Sequence, residues 1–88
     1  MDVRLLERQL KALGSKQRLR ILQELKRRRN LSVSDLAHTL HLSVQATSVH
    51  LQKLAALEII KPRRRAQSVL YRLSLPQSPL LKHVLALL

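Results

Sequence analysis

The sequence has 88 residues and is strongly basic, with 17 Lys and Arg against 5 Asp and Glu and a formal net charge of +12. This excess predicts a polyanionic partner, with nucleic acid first and an anionic membrane surface second. Zero Cys and a single aromatic residue exclude disulfides, thiolate metal sites and aromatic platforms that stack single-stranded bases. Because the sequence shows no membrane-length apolar run and no signal peptide, we expect one domain, residues 1–88, in a cytoplasmic, nucleoid-associated protein.

Two amphipathic helices are predicted in the first third of the chain. Asp2 is a suitable cap for the first helix, which runs to about Leu13 and is stopped by Gly14. Ser15 caps the second helix, which ends in the basic run Lys26–Asn30. That run either compensates the helix dipole or meets phosphate, and the sequence leaves both interpretations open.

A helix-turn-helix is predicted over residues 32–57. Ser32 and Asp35 have the spacing of a capping box, and the helix that they begin ends at Leu40. Ser43 caps a second helix, whose apolar positions recur at steps of three and four. A link this short does not allow the two helices to lie antiparallel, so we expect them to cross steeply.

The second of these helices, 44–57, has an outward face that carries almost no charge. Small and amide side chains of this kind suit a major groove, where Gln pairs with adenine and apolar atoms meet a thymine methyl. The alternative is a packing unit without a reading function. The residues of this face are Gln45, Ala46, Val49, Gln52 and Lys53.

A basic β-hairpin is predicted directly after this helix, over residues 59–74. Its strands are Ile59–Arg64 and Ser68–Leu73, and Pro62 belongs on an edge or at a bulge because it lacks an amide proton. Such a hairpin forms a wing that reaches phosphates or a minor groove, whereas the alternative is a solvated hairpin with protected edges. The wing residues expected on DNA are Arg63, Arg64, Arg65 and Gln67.

A last helix is predicted from the Ser78-Pro79 start to Leu88, and it has almost no polar face. Such a helix is buried or aggregates, and a small domain has little core left to cover it. We therefore expect a two-fold dimer through helices 3–13 and 79–88, since ten residues are too short for a membrane anchor. The predicted interface consists of Leu5, Leu6, Leu80, Leu81, Val84, Leu85 and Leu88.

Several short segments along the chain form a recognisable series in their order and spacing. They are Leu10–Leu13, Arg18–Leu22, Asp35–Ala37, Leu42-Ser43 with Ser48, His50-Leu51, Lys53-Leu54 and Val69–Leu73. Together these segments resemble the ArsR family of winged helix-turn-helix repressors. The resemblance implies a mostly α fold with a small β-hairpin (α1-α2-α3-α4-β-β-α5) and a homodimer that binds double-stranded DNA in a sequence-specific way. It also implies that each recognition helix enters a major groove.

The chain departs from this family at its metal sites. Metal-sensing members carry Cys-Val-Cys-Asp where this chain has Ser32-Val33-Ser34-Asp35, and hydroxyls do not replace thiolates for soft metals. One His on the last helix, His83, is too few for a tetrahedral zinc site. We therefore expect no metal and no cofactor. His38, His41 and His50 are interpreted as packing residues or phosphate contacts.

Two turns also depart from the family pattern. Glu58 stands where the family usually has Gly after the recognition helix, and Ala66 stands where Gly often turns the wing. We therefore expect both turns to differ in geometry.

The combined prediction is a DNA-binding transcriptional regulator, a repressor by resemblance, and not an enzyme. The sequence shows no nucleophile with a paired base, no carboxylate dyad and no phosphate-binding glycine loop. The alternatives are an architectural protein that coats DNA without reading sequence, and a winged-helix protein-interaction module. The predicted DNA-binding set is Ser32, Ser43, Gln45, Ala46, Ser48, Val49, Gln52, Lys53, Arg63, Arg64, Arg65 and Gln67.

Overall fold

The computed structural model describes residues 2–88, which form five helices and one three-stranded antiparallel sheet. The strands lie in the order β1-β3-β2, so the hairpin β2-β3 projects from the helical body as a wing. This is the predicted winged helix-turn-helix fold. The elements are α1 (Val3–Leu13), α2 (Lys16–Arg28), β1 (Leu31–Ser32), α3 (Val33–Leu40), α4 (Val44–Ala56), β2 (Ile60–Arg65), β3 (Ser68–Leu73) and α5 (Pro79–Leu87).

Each helix begins at the cap that the sequence predicts. The side chains of Asp2, Ser15, Ser43 and Ser78 each accept a hydrogen bond from a backbone amide in the first turn of their helix. Such a bond satisfies one of the amides that a helix start leaves without a partner, and a cap typically contributes about 1 kcal/mol. Short-range side-chain chemistry therefore sets where these helices start.

The capping box of α3 is complete. The Asp35 amide donates to Ser32 Oγ at 3.0 Å, and the Ser32 amide donates to Asp35 Oδ2 at 3.1 Å. The hydrogen bonds from Ser32 hold the pKa of the Asp35 carboxyl below its usual range. The ionised carboxylate therefore stabilises the start of the helix-turn-helix.

The core is aliphatic, as the composition predicts, and is built from all five helices, from β1 and from the start of β2. Thr47 is the fully buried polar exception, and its Oγ1 donates to the Ser43 backbone oxygen at 2.8 Å. The hydroxyl is thus satisfied without leaving its own helix. The largest fully buried side chains are Ile21, Leu22, Leu25, Leu36, Leu51, Leu54, Ile60 and Thr47.

The sheet differs from the prediction by one additional short strand, β1, and by a shift of one residue in the bounds of β2. β1 pairs Leu31 with Tyr71, and a strand of two residues is too short to show alternation in a sequence. β2 runs one residue later than predicted, over Ile60–Arg65, and pairs Pro62 with Tyr71. Because β2 is an edge strand, Pro62 costs the sheet no ladder bond on its open side.

The expectation of altered turns at Glu58 and Ala66 is wrong. Both residues lie in the left-handed region that glycine favours, with φ of 57° and 54°. After α4, the Glu58 amide donates to the Ala55 oxygen and the Ile59 amide to the Leu54 oxygen, at 2.9 and 3.0 Å. This pair of bonds is a Schellman motif. The chain therefore keeps a glycine-like turn, although the left-handed conformation is strained for a residue with a Cβ.

Helix α5 lies partly in the core of its own chain. Leu81 and Leu85 are 3% and 5% exposed, whereas Leu87 is 86% exposed. Within residues 2–88, no helix combines the length and the apolar character needed to cross a bilayer.

Candidate nucleic-acid interface

The corner between α3 and α4 sets how α4 is presented. His41 follows α3 with a φ of 56° and its amide donates to the His38 oxygen at 3.3 Å. The Leu42 amide donates to the Ala37 oxygen at 3.0 Å, which completes a second Schellman motif. The two backbone bonds fix the link that the sequence predicted to be tight. The left-handed residue is a His, so the usual Gly signal for this turn is missing from the sequence.

Helix α4 has the two faces that its periodicity predicts. Thr47, Leu51 and Leu54 are fully buried against the core. Every residue of the predicted outward face is exposed: Gln45, Ala46, Val49, Gln52 and Lys53. The solvent side of this helix is therefore free of acidic groups and carries apolar and amide groups in its first two turns.

Val44 is a further exposed apolar residue of α4, outside the outward face, and the sequence reasoning missed it. Its side chain is 50% exposed, the same fraction as Val49. At 100° per residue Val44 lies on the same side as Leu51, and periodicity therefore assigns it to the core. It is exposed because α4 begins there, beyond the edge of the core.

The three serines of the predicted DNA-binding set lie at or near helix starts. Ser43 is exposed, and its Oγ accepts from the Ala46 amide at 3.0 Å. Ser32 is half-buried in its capping box, and Ser48 is half-buried on α4. The capping bonds use hydroxyl lone pairs, so Ser32 and Ser43 each keep a proton to donate.

The wing places four basic or amide side chains in solvent. Arg63, Arg64 and Arg65 end β2, and Gln67 lies in the turn that follows Ala66. Within residues 2–88, the one ion pair joins Arg27 to Glu24 at 3.1 Å. No described carboxylate therefore neutralises the wing, which retains its charge for an anionic partner.

Arg18 joins α4 to the corner between α1 and α2. Its Nε donates to the Ala12 oxygen at 2.6 Å, and its Nη1 lies 3.2 Å from His50 Nδ1. Burial, followed by the charges of Arg18 and Lys53, lowers the pKa of the His50 imidazole. A neutral imidazole accepts the guanidinium proton at Nδ1. His50 is therefore a packing residue with a defined partner.

The remaining histidines are separate from one another. His83 Nδ1 lies 2.8 Å from the Pro79 oxygen, while His38 and His41 are exposed on α3 and at its end. Among residues 2–88, no three His, Asp or Glu side chains are close enough to hold a metal ion together.

The outer helices, α1 and α5, carry apolar side chains that differ widely in their exposed fraction. On α1, Val3 is 78% exposed and Leu10 is 50% exposed, and on α5 Leu87 is 86% exposed. Leu81 and Leu85 belong to the predicted interface, but both are buried in the core of a single protomer. They cannot line a free surface. The half-buried members of that set are Leu6, Leu80, Val84 and Leu88, with Leu5 38% exposed.

Comparison with known proteins gives a consistent result. Residues 15–61 match the family model of winged helix-turn-helix DNA-binding domains. Among proteins of curated function, none matches the sequence. Reduced HlyU from Vibrio cholerae is 36% identical, with 94% of this chain and 83% of that chain covered and a TM-score of 0.80.

Two further solved structures are informative. One is the homodimeric winged helix-turn-helix DNA-binding domain of a possible ArsR-family transcriptional regulator from Mycobacterium bovis. It is 25% identical, covering 97% of this chain and 75% of that chain with a TM-score of 0.82. The other is AntR, an antimony-specific transcriptional repressor, which is 35% identical over 89% of this chain and 68% of that chain with a TM-score of 0.75.

Proposed function

The chain belongs to the winged helix-turn-helix DNA-binding family as a transcriptional regulator of ArsR type, and from this we propose that it is a homodimeric, sequence-specific repressor. Members of this family bind DNA and are not enzymes. The observation that carries the proposal is the exposed, acid-free face of α4, which is held on a rigid corner beside a basic wing.

Recognition of bases is assigned to the first two turns of α4. Gln45 is exposed there and carries the amide that pairs with adenine in a major groove. Val49, which is 50% exposed on the same face, offers apolar atoms to a thymine methyl. Such contacts distinguish one base pair from another, so this face supports a reading function.

Positioning on the backbone is assigned to the wing and the helix starts. Arg63, Arg64 and Arg65 have no carboxylate partner among residues 2–88 and suit phosphate or a narrow minor groove. Ser32 and Ser43 lie at helix N-termini, where backbone amides and the helix dipole favour a phosphate. These contacts add affinity for any duplex.

Dimerisation is assigned to α1 and α5. Their exposed apolar side chains include Val3, Leu10 and Leu87, and the solved M. bovis domain of the same fold is described as homodimeric. Two recognition helices related by a two-fold axis would read the two halves of a palindromic site. Repression is proposed because AntR, which is similar over most of the chain, is described as a repressor.

Two substitutions separate reading from positioning. Gln45→Ala should weaken binding to the cognate site by about 1–3 kcal/mol and change binding to random duplex little, because only base contacts discriminate. Arg64→Ala should weaken both duplexes about equally and lower the slope of log affinity against log salt by roughly one. The cognate site is first obtained by selection from random duplexes at physiological salt.

Gln23→Ala is the matched control, since Gln23 is an exposed amide on α2 outside the proposed interface. It should change neither affinity. The alternative is an architectural protein that coats DNA without reading it, which the net charge of +12 favours. A selection that yields no motif, or a Gln45→Ala variant that weakens cognate and random DNA alike, would establish that alternative.

A further inference from the structure

A basic concavity of about 360 Å³ lies between the end of α2 and the sheet. Leu25, Leu73 and Leu75 contribute apolar walls to it. We call it the α2–sheet concavity. Its polar lining consists of Lys26, Arg29, Asn30, Arg63, Arg72 and Gln77.

The charges in this concavity have one sign. Its four cations come from α2 and its end, from β2 and from β3, and none of the five acidic residues of the chain lines it. The dipole of α2 accounts for cations at its C-terminus, but it does not account for Arg63 and Arg72, which the sheet brings in. Like charges gathered on one surface create a positive potential that attracts an anion.

The backbone at Arg29 gives a second and independent indication. Arg29 has φ of 73° and ψ of −64°, and the Asn30 amide donates to the Arg28 oxygen at 3.0 Å. This is the left-handed form of the γ-turn, which is rare and strained for a residue with a Cβ. Glycine would adopt it freely. Strain of this kind is found where a side chain has a function, and here that side chain lines the concavity.

One of the four cations is partly engaged. Lys26 Nζ donates to the Leu85 oxygen at 2.7 Å, so two of its three protons remain. No described carboxylate pairs with Arg29, Arg63 or Arg72, and their guanidinium forks match the oxygens of a phosphate. Asn30 and Gln77 add amide donors.

We propose that the α2–sheet concavity is a binding site for a phosphate group. Its volume lies at the lower end of the roughly 300–1,000 Å³ of small-ligand pockets, which suits a small phosphorylated molecule. A phosphate of the duplex backbone offers the same oxygens and is the other source. Arg63 belongs to both this site and the wing, so a free anion bound here would compete with DNA for its charge.

The first experiment titrates the intact chain with pyrophosphate and follows the backbone amides by NMR. The amides of Arg29, Asn30, Arg72 and Gln77 should shift together along one binding curve. The Arg29→Gly and Arg72→Ala variants should each bind pyrophosphate at least fivefold more weakly. Arg27→Ala should bind as the unchanged chain does, because the Arg27 side chain is 71% exposed and pairs with Glu24.

Arg29→Gly also separates binding from folding. Glycine relieves the γ-turn, so this variant should unfold at the same or a higher temperature while losing affinity for the anion. Equal pyrophosphate affinities in Arg29→Gly, Arg72→Ala and Arg27→Ala would show that the loss follows net charge alone. That result would overturn the site.

A second arm identifies the source of the phosphate with a duplex of random sequence. If the backbone supplies it, Arg72→Ala lowers the slope of log affinity against log salt by roughly one, whereas Arg27→Ala does not. If a free molecule supplies it, that slope is unchanged and pyrophosphate weakens DNA binding in the unchanged chain more than in Arg72→Ala. Binding to a duplex of random sequence does not depend on base contacts. Both the pyrophosphate titration and the DNA experiment would therefore stay interpretable if the proposed repressor function proved wrong.

Discussion

Replacement of Glu58 by glycine tests the turn that joins α4 to the wing. Glu58 has φ of 57° in the Schellman motif after α4, a conformation that costs an L-residue roughly 1–2 kcal/mol. Glycine removes this cost but adds roughly 0.4–1 kcal/mol of chain entropy to the unfolded state. The middles of these two ranges differ by roughly 0.8 kcal/mol, so Glu58→Gly should stabilise the fold by about 0.5–1 kcal/mol.

Thermal unfolding followed by circular dichroism measures this difference. In a domain of this size, 1 kcal/mol shifts the midpoint by about 4–8 °C, so Glu58→Gly should raise it by roughly 2–8 °C. Glu58→Ala is the matched control, because it removes the same charge and keeps a Cβ in the left-handed region. If Ala and Gly raise the midpoint equally, the gain comes from the charge and the argument from backbone strain is refuted.

Three further predictions concern assembly, metals and pH. The intact chain should sediment as a dimer, and truncation after Leu75 should abolish dimerisation. Leu87→Asp should give a folded monomer. Leu75→Asp is the control, because Leu75 lies outside both outer helices, and this variant should remain dimeric. A well-folded monomer of the intact chain at micromolar concentration would contradict this. Stoichiometric arsenite, cadmium or zinc should leave DNA affinity unchanged, and release of DNA at one metal per chain in a titration with operator would reveal an unrecognised site. The lowered pKa of His50 means that the folded state holds its neutral form, so its contribution to stability is full above its ordinary value of 6.5 and is lost as pH falls through the lower, folded value. His50→Gln, which keeps an acceptor for Arg18, should lose less thermal stability than the unchanged chain between pH 7.5 and 5.

Much of the fold was predictable because its signals are local. Asp2, Ser15, Ser43 and Ser78 act within a few residues of their own position, so a sequence shows them directly. The core face of α4 follows from helical periodicity, and the edge position of Pro62 follows from its missing amide proton.

What the sequence did not show depends on contacts between distant residues or on backbone strain. The 3.2 Å approach of Arg18 to His50 spans 32 positions, and no local pattern marks it. Arg29, His41 and Glu58 occupy left-handed conformations without the glycine that usually signals them. The sequence shows the basic run at the end of α2. It does not show that Arg72 lies beside this run, because the fold of the sheet brings the two together.

The location of Leu81 and Leu85 shows a related limit. Apolar periodicity marks a side chain as buried, but it does not say which surface buries it. Both residues lie in the core of their own protomer. Only exposure in the folded chain separates them from Leu87.

Helix α4 is held at three points. The His41 turn holds its start, the Glu58 turn holds its end, and Arg18 holds His50 in its middle. If α4 docks in a major groove as proposed, a helix held in this way loses little further conformational entropy, so more of the free energy of its contacts is retained as affinity. A helix whose tilt is restrained would also meet a mismatched base pair with unpaired groups, and the scaffold would thereby contribute to discrimination without touching a base.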